Sequence, residues 1–281
     1  MITVDFSCLQ LPPGSRILDI GCGSGRHVAA AYALEKVNVT GADANFEDLT
    51  KARSRLQYHD ELCAHGNGRW NLAASDINHL PFGDATFDLV ICSEVLEHVP
   101  NHHGAMAEIV RVLKPGCPLV VSVPREWPET LCWRLSSQYR CLPGGHIRIY
   151  KADQLLRQVE SYGVRHFRTH FAHSLHSPFW WLKCLVGVQK ENLWPVKLYH
   201  RFLVWDMMQK PLLTRTLERW LNPFMGKSVV FYFRKAATTP VILTCAEARP
   251  ASGSWATPRK RPKLSQSGKS DRVPDLLGKG L

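Results

Sequence analysis

Across 281 residues the sequence holds 35 Lys+Arg against 24 Asp+Glu, a formal charge of +11, with 45% hydrophobic and 21% charged residues. That is length for one large domain or two small ones with a buried core, and a composition that excludes a wholly disordered chain. No window approaches ~18 uninterrupted apolar residues, so no transmembrane helix is predicted, and the first eight residues lack the basic and apolar regions of a secretory signal.

From residue 14 onward, short apolar runs alternate with helical patterns, the pattern of a parallel sheet with crossover helices. A first strand is predicted at 16–20, running into a glycine loop, and a helix at 26–34. A second strand spans 37–42 and stops at Asp43; Asn45 then caps a helix that carries Leu49, Ala52 and Leu56 on one side. A third strand, 70–74, leads into Asp76. A fourth, 88–92, is almost wholly apolar, as a strand buried on both faces should be. The helix around 106–113 stops at Lys114-Pro-Gly116, and 118–123 forms a fifth strand. A helix at 153–162 ends at Gly163, a left-handed cap, and 164–171 and 228–235 are the sixth and seventh strands.

Two segments stand apart. Residues 172–226 separate the last two strands and hold nine aromatics, one in six, with seven Lys/Arg against three acids. Residues 237–281 hold eight Lys/Arg and three acids among Pro, Ser, Gly and Thr, and are expected to be a disordered basic tail. The rest of the chain carries +6, a mild excess that requires no polyanionic partner. Nine scattered cysteines with no C-x-x-C pair argue against a disulfide framework or a zinc site and fit a reducing compartment.

The strongest local signal is Leu18-Asp-Ile-Gly-Cys-Gly-Ser-Gly25, between a strand and a helix. Glycines at 21, 23 and 25 let the backbone pass close under a ligand. Asp43, 18 residues beyond Gly25, ends the next strand, where a carboxylate can accept from both hydroxyls of a ribose. Asp76, ending the third, can accept from an adenine amino group with Ile77 against the ring. Dinucleotide sites share the ribose carboxylate, but the G-x-G-x-x-G pattern fails here because Arg26 stands at its last glycine. Asp19 before the loop faces a cationic ligand, and a sulfonium with an amino-acid tail is one.

These residues resemble the class I S-adenosylmethionine-dependent methyltransferases, in particular the small-molecule branch. The likeness spans about 14–171 plus 228–236 and includes the glycine loop, Gly41-Ala-Asp43, Ser75-Asp-Ile77, Leu80-Pro-Phe82, Phe87-Asp-Leu-Val-Ile-Cys-Ser-Glu-Val-Leu-Glu-His98 and Arg111-Val-Leu-Lys-Pro-Gly116. It implies an α/β, Rossmann-like, doubly wound sheet of seven strands with the last antiparallel. It implies S-adenosylmethionine as cofactor. Asp19, Gly21, Cys22, Gly23 and Gly25 would hold the methionine moiety, Asp43 with Ala44 the ribose, and Asp76 with Ile77 the adenine. Cys92, Ser93 and Glu94 would lie by the sulfonium.

Methyl transfer needs a base only when the acceptor has a proton to lose. His98, past the fourth strand, and His146, in Gly144-Gly-His-Ile-Arg-Ile-Tyr150, are the candidate catalytic residues. Arg148 would bind an acceptor carboxylate or form a surface salt bridge, and His102 and His103 open a solvent-facing helix. No metal is expected.

The expected enzyme is a methyltransferase of residues 1–236 acting on a small, aromatic or lipid-like molecule at oxygen or carbon. Its expected location is cytoplasmic, with peripheral contact at a membrane surface. Only about fifteen residues precede the first strand, too few for two covering helices. Residues 172–226 are therefore expected to be a mainly helical lid, with Trp180 and Trp181 facing the acceptor. The Pro258-Arg-Lys-Arg-Pro-Lys263 cluster would also suit a nucleic-acid methyltransferase. Against that, Cys92-Ser-Glu-Val95 stands where base-amine enzymes carry a Pro-Pro element, and Ile91 rather than Pro precedes Cys92. A non-catalytic cofactor-binding module at a membrane or partner, and an NAD oxidoreductase, each account for part of the same pattern.

Overall fold

The apolar runs pair into one seven-stranded sheet of order β3-β2-β1-β4-β5-β7-β6, in a computed structural model that describes residues 2–142 and 144–237. The strands are β1 (Arg16–Ile20), β2 (Asn38–Asp43), β3 (Arg69–Ala74), β4 (Leu89–Ser93), β5 (Pro118–Pro124), β6 (Val164–Ala172) and β7 (Ser228–Lys235). β1 to β5 are parallel, and β7 runs antiparallel to both β5 and β6. The fold class expected from the sequence is the one observed. Strand order steps away from β1 in two directions, so the carboxyl ends of β1 and β4 part and leave a crevice where open α/β sheets bind ligands.

β4 and β5 read as unbroken apolar runs because helices cover both faces of the sheet. Alternation sends neighbours to opposite layers: Leu18, Val90 and Phe231 join one core, Ile17, Ile91 and Tyr232 the other. Around the sheet lie α1 (Arg26–Tyr32), α2 (Phe46–Glu61), α3 (His102–Val112) and α6 (Ala152–Glu160). Asn45 caps α2 as expected, accepting from the N–H groups of Glu47 and Asp48. α3 opens at His102, as expected, and the Asn101 side chain caps it, accepting from Gly104 N–H.

Two helices were not anticipated: α4 (Glu126–Leu135) and α5 (Ser137–Arg140). α4 has no side-chain cap at Arg125, so the clearest start signal is missing, although Glu126 and Glu129 stand in its first turn. The insertion between β6 and β7 is helical, as expected: α7 (His176–Val186), α8 (Trp194–Gln209) and α9 (Leu212–Met225). Trp180 and Trp181 pack beside Cys132, Tyr139 and Cys184, joining α7 to α4 and α5. Both are half-buried and pack within this cluster. Among the described residues no helix is long and apolar enough to cross a membrane. The expected basic tail, with its Pro258–Lys263 cluster, lies outside the described residues from 238 onward.

Candidate functional site

The loop after β1 turns through three left-handed glycines, Gly21, Gly23 and Gly25. A side chain at Gly21 would collide with Val95. At Gly23 (φ +50) a β-carbon would meet nothing within 4 Å, so the open space above it is available to a ligand. Asp43, the last residue of β2, fastens the loop: its carboxylate accepts from Gly23 N–H at 2.7 Å and from Asn45 N–H at 2.8 Å. Asp76 accepts from Asn78 N–H at 2.9 Å, and the Asn78 hydrogen bonds hold its carboxyl below the usual range.

These groups border a cleft of roughly 350 Å³, within the size range of small-ligand sites. Gly21, Asp43, Ala44, Asp76 and Ile77 line one side, and Val95, His98 and Val99 the other. Five of the expected cofactor residues and one of the two expected bases thus meet at one opening. Asp19 lies beneath the loop, 2% exposed, with one carboxylate oxygen buried and, among the described residues, without a hydrogen-bond partner. Burial pushes its pKa up to about 8. Cys22 is also buried under the loop, and burial pushes its thiol pKa up.

Cys92, Ser93 and Glu94 do not line this cleft. Cys92 is fully buried in the core. Ser93 Oγ bonds Ser122 Oγ at 2.8 Å, and the Ser122 hydroxyl donates to Glu94 at 3.0 Å. Glu94 takes a left-handed φ of 58°, which turns the chain at the end of β4 and carries its carboxylate toward β5.

A second constellation adjoins the cleft. His146 Nδ1–H donates to Glu129 Oε1 at 2.6 Å, and the Tyr139 hydroxyl donates to the other oxygen of Glu129 at 3.3 Å. The imidazoles of His98 and His146 stand 5.0 Å apart. His98 Nδ1 faces the Gly145 carbonyl at 3.2 Å. Burial, and then the charge of His146, push the His98 pKa below its ordinary value. Glu97 has no exposed surface, and among the described residues neither of its oxygens finds a hydrogen-bond partner. Burial, reinforced by the charge of Glu94, raises it well above the carboxylate range. His98 Nε2 and Glu97 Oε1 stand 3.9 Å apart, beyond hydrogen-bond reach. Glu97, His98 and His146 also bring one ligand atom each within 4.8 Å of one another, a spacing that could take a cation and that the linear sequence does not display.

Sequence reasoning missed Glu129 and Glu97. Glu97 stands inside the motif that ends at His98, three residues after Glu94, where a helical turn was the available signal; Glu129 lies in a segment with no predicted element. Arg148 is neither an anion binder nor a surface salt bridge. Its guanidinium donates to the carbonyls of Leu96, Val99 and Pro100 and fixes the turn that carries His98. His102 is not a bland surface residue: it bonds the Tyr150 hydroxyl and Gln158, each at 2.9 Å, while His103 meets Tyr162 at 2.9 Å.

Residues 18–121 match a family model described as a methyltransferase domain. Residues 18–121 thus carry a methyltransferase domain of the S-adenosylmethionine-dependent kind. Among its relatives, the O-methyltransferase cnsE of Penicillium expansum is 37% identical over 109 residues, 39% of this chain and 38% of that protein. Cycloartenol-C-24-methyltransferase of Arabidopsis thaliana is 35% identical over 115 residues, 40% and 32% of the respective lengths. The chain thus spans about a third of the length of the curated relatives it matches. The crystal structure of the [4+2]-cyclase SpnF aligns with a TM-score of 0.55 at 20% identity, covering 83% of this chain and 79% of that one. It shares the fold, and its name shows that this fold hosts more than one chemistry.

S-adenosylmethionine is the cofactor of such a domain, and the residues of this chain fit it. The orphaned oxygen of Asp19 suits an ammonium, the space over Gly23 suits a close-lying chain, and the carboxylate of Asp43 suits hydroxyl donors. Ile77 offers an apolar surface at the position expected for an adenine ring.

Proposed function

We propose that this domain transfers a methyl group from S-adenosylmethionine to a small-molecule acceptor at oxygen or carbon, with His146 as general base and His98 beside it. The observation that carries this reading is the His146–Glu129 pair at 2.6 Å, next to a histidine on the rim of the glycine-loop cleft. When bound, the cofactor supplies a sulfonium methyl group ready for displacement. Asp19 and the glycine loop would hold its amino-acid end, Asp43 its ribose, and Asp76 with Ile77 its base.

With Nδ1 engaged by Glu129, Nε2 of His146 is left to take a proton from the acceptor. The carboxylate fixes that tautomer and stabilises the imidazolium that forms, as the acid of a Ser-His-Asp triad does. The names of the relatives, O-methyltransferases and sterol C-methyltransferases, support oxygen or carbon as the accepting atom.

In this reading residues 172–226 are the lid. Trp180 stands 5.7 Å from Tyr139, so α7 extends the wall around Glu129 with apolar surface, which suits an aromatic or lipid-like acceptor. The same reading puts the enzyme in the cytoplasm at a membrane surface. The outer face of α8 and α9 exposes Trp194, Trp205, Leu212, Leu213, Trp220 and Phe224. Its exposed charges, Lys197, Arg201, Lys210, Arg215 and Arg219, are all cations, while Asp206 and Glu218 turn inward. That arrangement matches the interfacial helices that bind anionic lipid.

The test begins with S-adenosylhomocysteine titrated into the wild type; micromolar binding is expected, and its absence overturns the reading. Methyl transfer to a panel of phenols and sterols then compares wild type with His146→Gln. A loss of roughly 10²–10⁴ in rate with unchanged S-adenosylhomocysteine affinity is expected. Wild-type turnover in His146→Gln would remove the base from the mechanism. Co-sedimentation with phosphatidylglycerol vesicles, absent with phosphatidylcholine, is the expected result for the membrane face; sedimentation with neither would refute it.

A further inference from the structure

Four polar side chains from separate elements converge under the inserted helices. His173 follows β6 directly, His176 opens α7, Asp206 lies on α8 and Glu218 on α9. His173, His176 and Glu218 each place one ligand atom within 4.8 Å of the others. The two imidazoles stand nearly perpendicular, 5.8 Å apart. Asp206, only 9% exposed, lies within charge range of both Glu218 and His176.

Among the described residues nothing hydrogen-bonds to His176 Nδ1 or Asp206 Oδ1, although both atoms are buried. Buried polar atoms are normally paired, so two orphans in one cluster indicate a missing partner. The backbone at His173 adopts a left-handed φ of 65°, a strain that folds retain where a ligand is clamped. Thr3 Oγ1 stands 3.2 Å from His173 Nε2, an outer contact of the kind that sets tautomer and ring orientation in a ligating histidine. The other charged groups facing the cluster are Lys227 and Arg26, near the histidines, and Arg215, near Glu218.

We propose that His173, His176 and Glu218, with Asp206 as the fourth group, bind one divalent ion of the zinc class, which ties the three inserted helices to the end of β6. Two imidazoles with carboxylates suit zinc; calcium and magnesium prefer all-oxygen sets. Tetrahedral ligands at zinc distances lie roughly 3.3–3.6 Å apart, so small side-chain rotations close the observed set. A divalent ion also neutralises two inward-facing carboxylates that otherwise oppose each other. The same ion would fix the lid relative to the sheet, and so the wall that α7 presents to Glu129. The site is built from residues other than Glu97, His98 and His146, so its fate does not depend on the transfer chemistry.

The experiment strips the full chain with EDTA, titrates zinc sulfate and counts bound zinc after desalting by elemental mass spectrometry. One zinc per chain is expected for the wild type and for His98→Asn, with at least a hundredfold weaker binding in His176→Asn and Glu218→Gln. Hydrogen exchange on the wild type locates the ion without any variant: zinc should slow exchange in residues 173–186 and 212–225. No stoichiometric zinc in the wild type overturns the proposal. So does loss of zinc in His98→Asn with retention in His176→Asn, or protection confined to residues 95–98 and 144–148, which would put the ion at the acceptor pair. If the variants do not fold, the exchange pattern of the wild type alone decides.

Discussion

Asp43→Ala removes one carboxylate that holds two backbone N–H groups, those of Gly23 and Asn45, at 2.7 and 2.8 Å. Hydrogen bonds to a charged group contribute about 1.5–3 kcal/mol each. Asp43 is only half-buried, so water replaces part of this and folding stability should fall by about 2–3 kcal/mol. In a domain of this size that lowers Tm by roughly 5–10 °C. Cofactor affinity suffers more, because the variant loses both ribose acceptors. Two such bonds at about 1.5–3 kcal/mol each correspond to roughly 10²–10⁴ in Kd. Calorimetric titration of S-adenosylhomocysteine, with a thermal melt on the same samples, separates the two effects. Asp43→Asn, which keeps one acceptor oxygen, should fall between wild type and Asp43→Ala. A folded Asp43→Ala that binds within threefold of wild type would refute the reasoning and leave Asp43 only a loop fastener.

Gly23→Val should fold, because its side chain enters open space and the left-handed backbone costs about 1–2 kcal/mol, yet calorimetry should find no S-adenosylhomocysteine binding. Asp19 predicts a pH dependence: its folded pKa of about 8 lies above the unfolded value near 4, so the native chain holds a proton that the unfolded chain releases. The stability from this group is full below about pH 4 and is lost as pH rises toward 8, so Tm should fall between pH 5 and 8 in wild type and less steeply in Asp19→Asn. Because an ammonium requires ionised Asp19, S-adenosylhomocysteine affinity should rise by up to roughly tenfold per pH unit over pH 6–8, and Asp19→Asn should bind weakly throughout that range. Trp181→Ala removes a half-buried ring and its Nε1–H bond to the Pro128 carbonyl; urea unfolding should show a loss of about 2–3 kcal/mol while S-adenosylhomocysteine binding stays unchanged.

The sequence by itself determined the sheet and the glycine loop with the strand-end acids that border the cleft. Strands buried on both faces cannot hide their apolar runs, and a loop that must turn left-handed under a ligand has to spend glycines at Gly21, Gly23 and Gly25. Strand-end acids were legible for the same reason: Asp43 and Asp76 interrupt patterns that are otherwise apolar or small. Tertiary structure alone decided what depends on distance in space. Glu129 reaches His146 only because α4 folds back beside the 144–148 segment, and nothing in its own neighbourhood announces that. The left-handed turn at Glu94 removed Cys92, Ser93 and Glu94 from the cleft and brought Val95 and His98 in, a change no residue type there foretells. Arg148 looked like a free cation until the carbonyls of Leu96, Val99 and Pro100 closed around it. The protonation of Asp19 and Glu97 likewise follows from burial, which chain order does not encode. Local pattern fixes elements because backbone hydrogen bonding and side-chain periodicity are local; the chemistry of a site depends on which distant groups share its low-dielectric space, and only packing sets that.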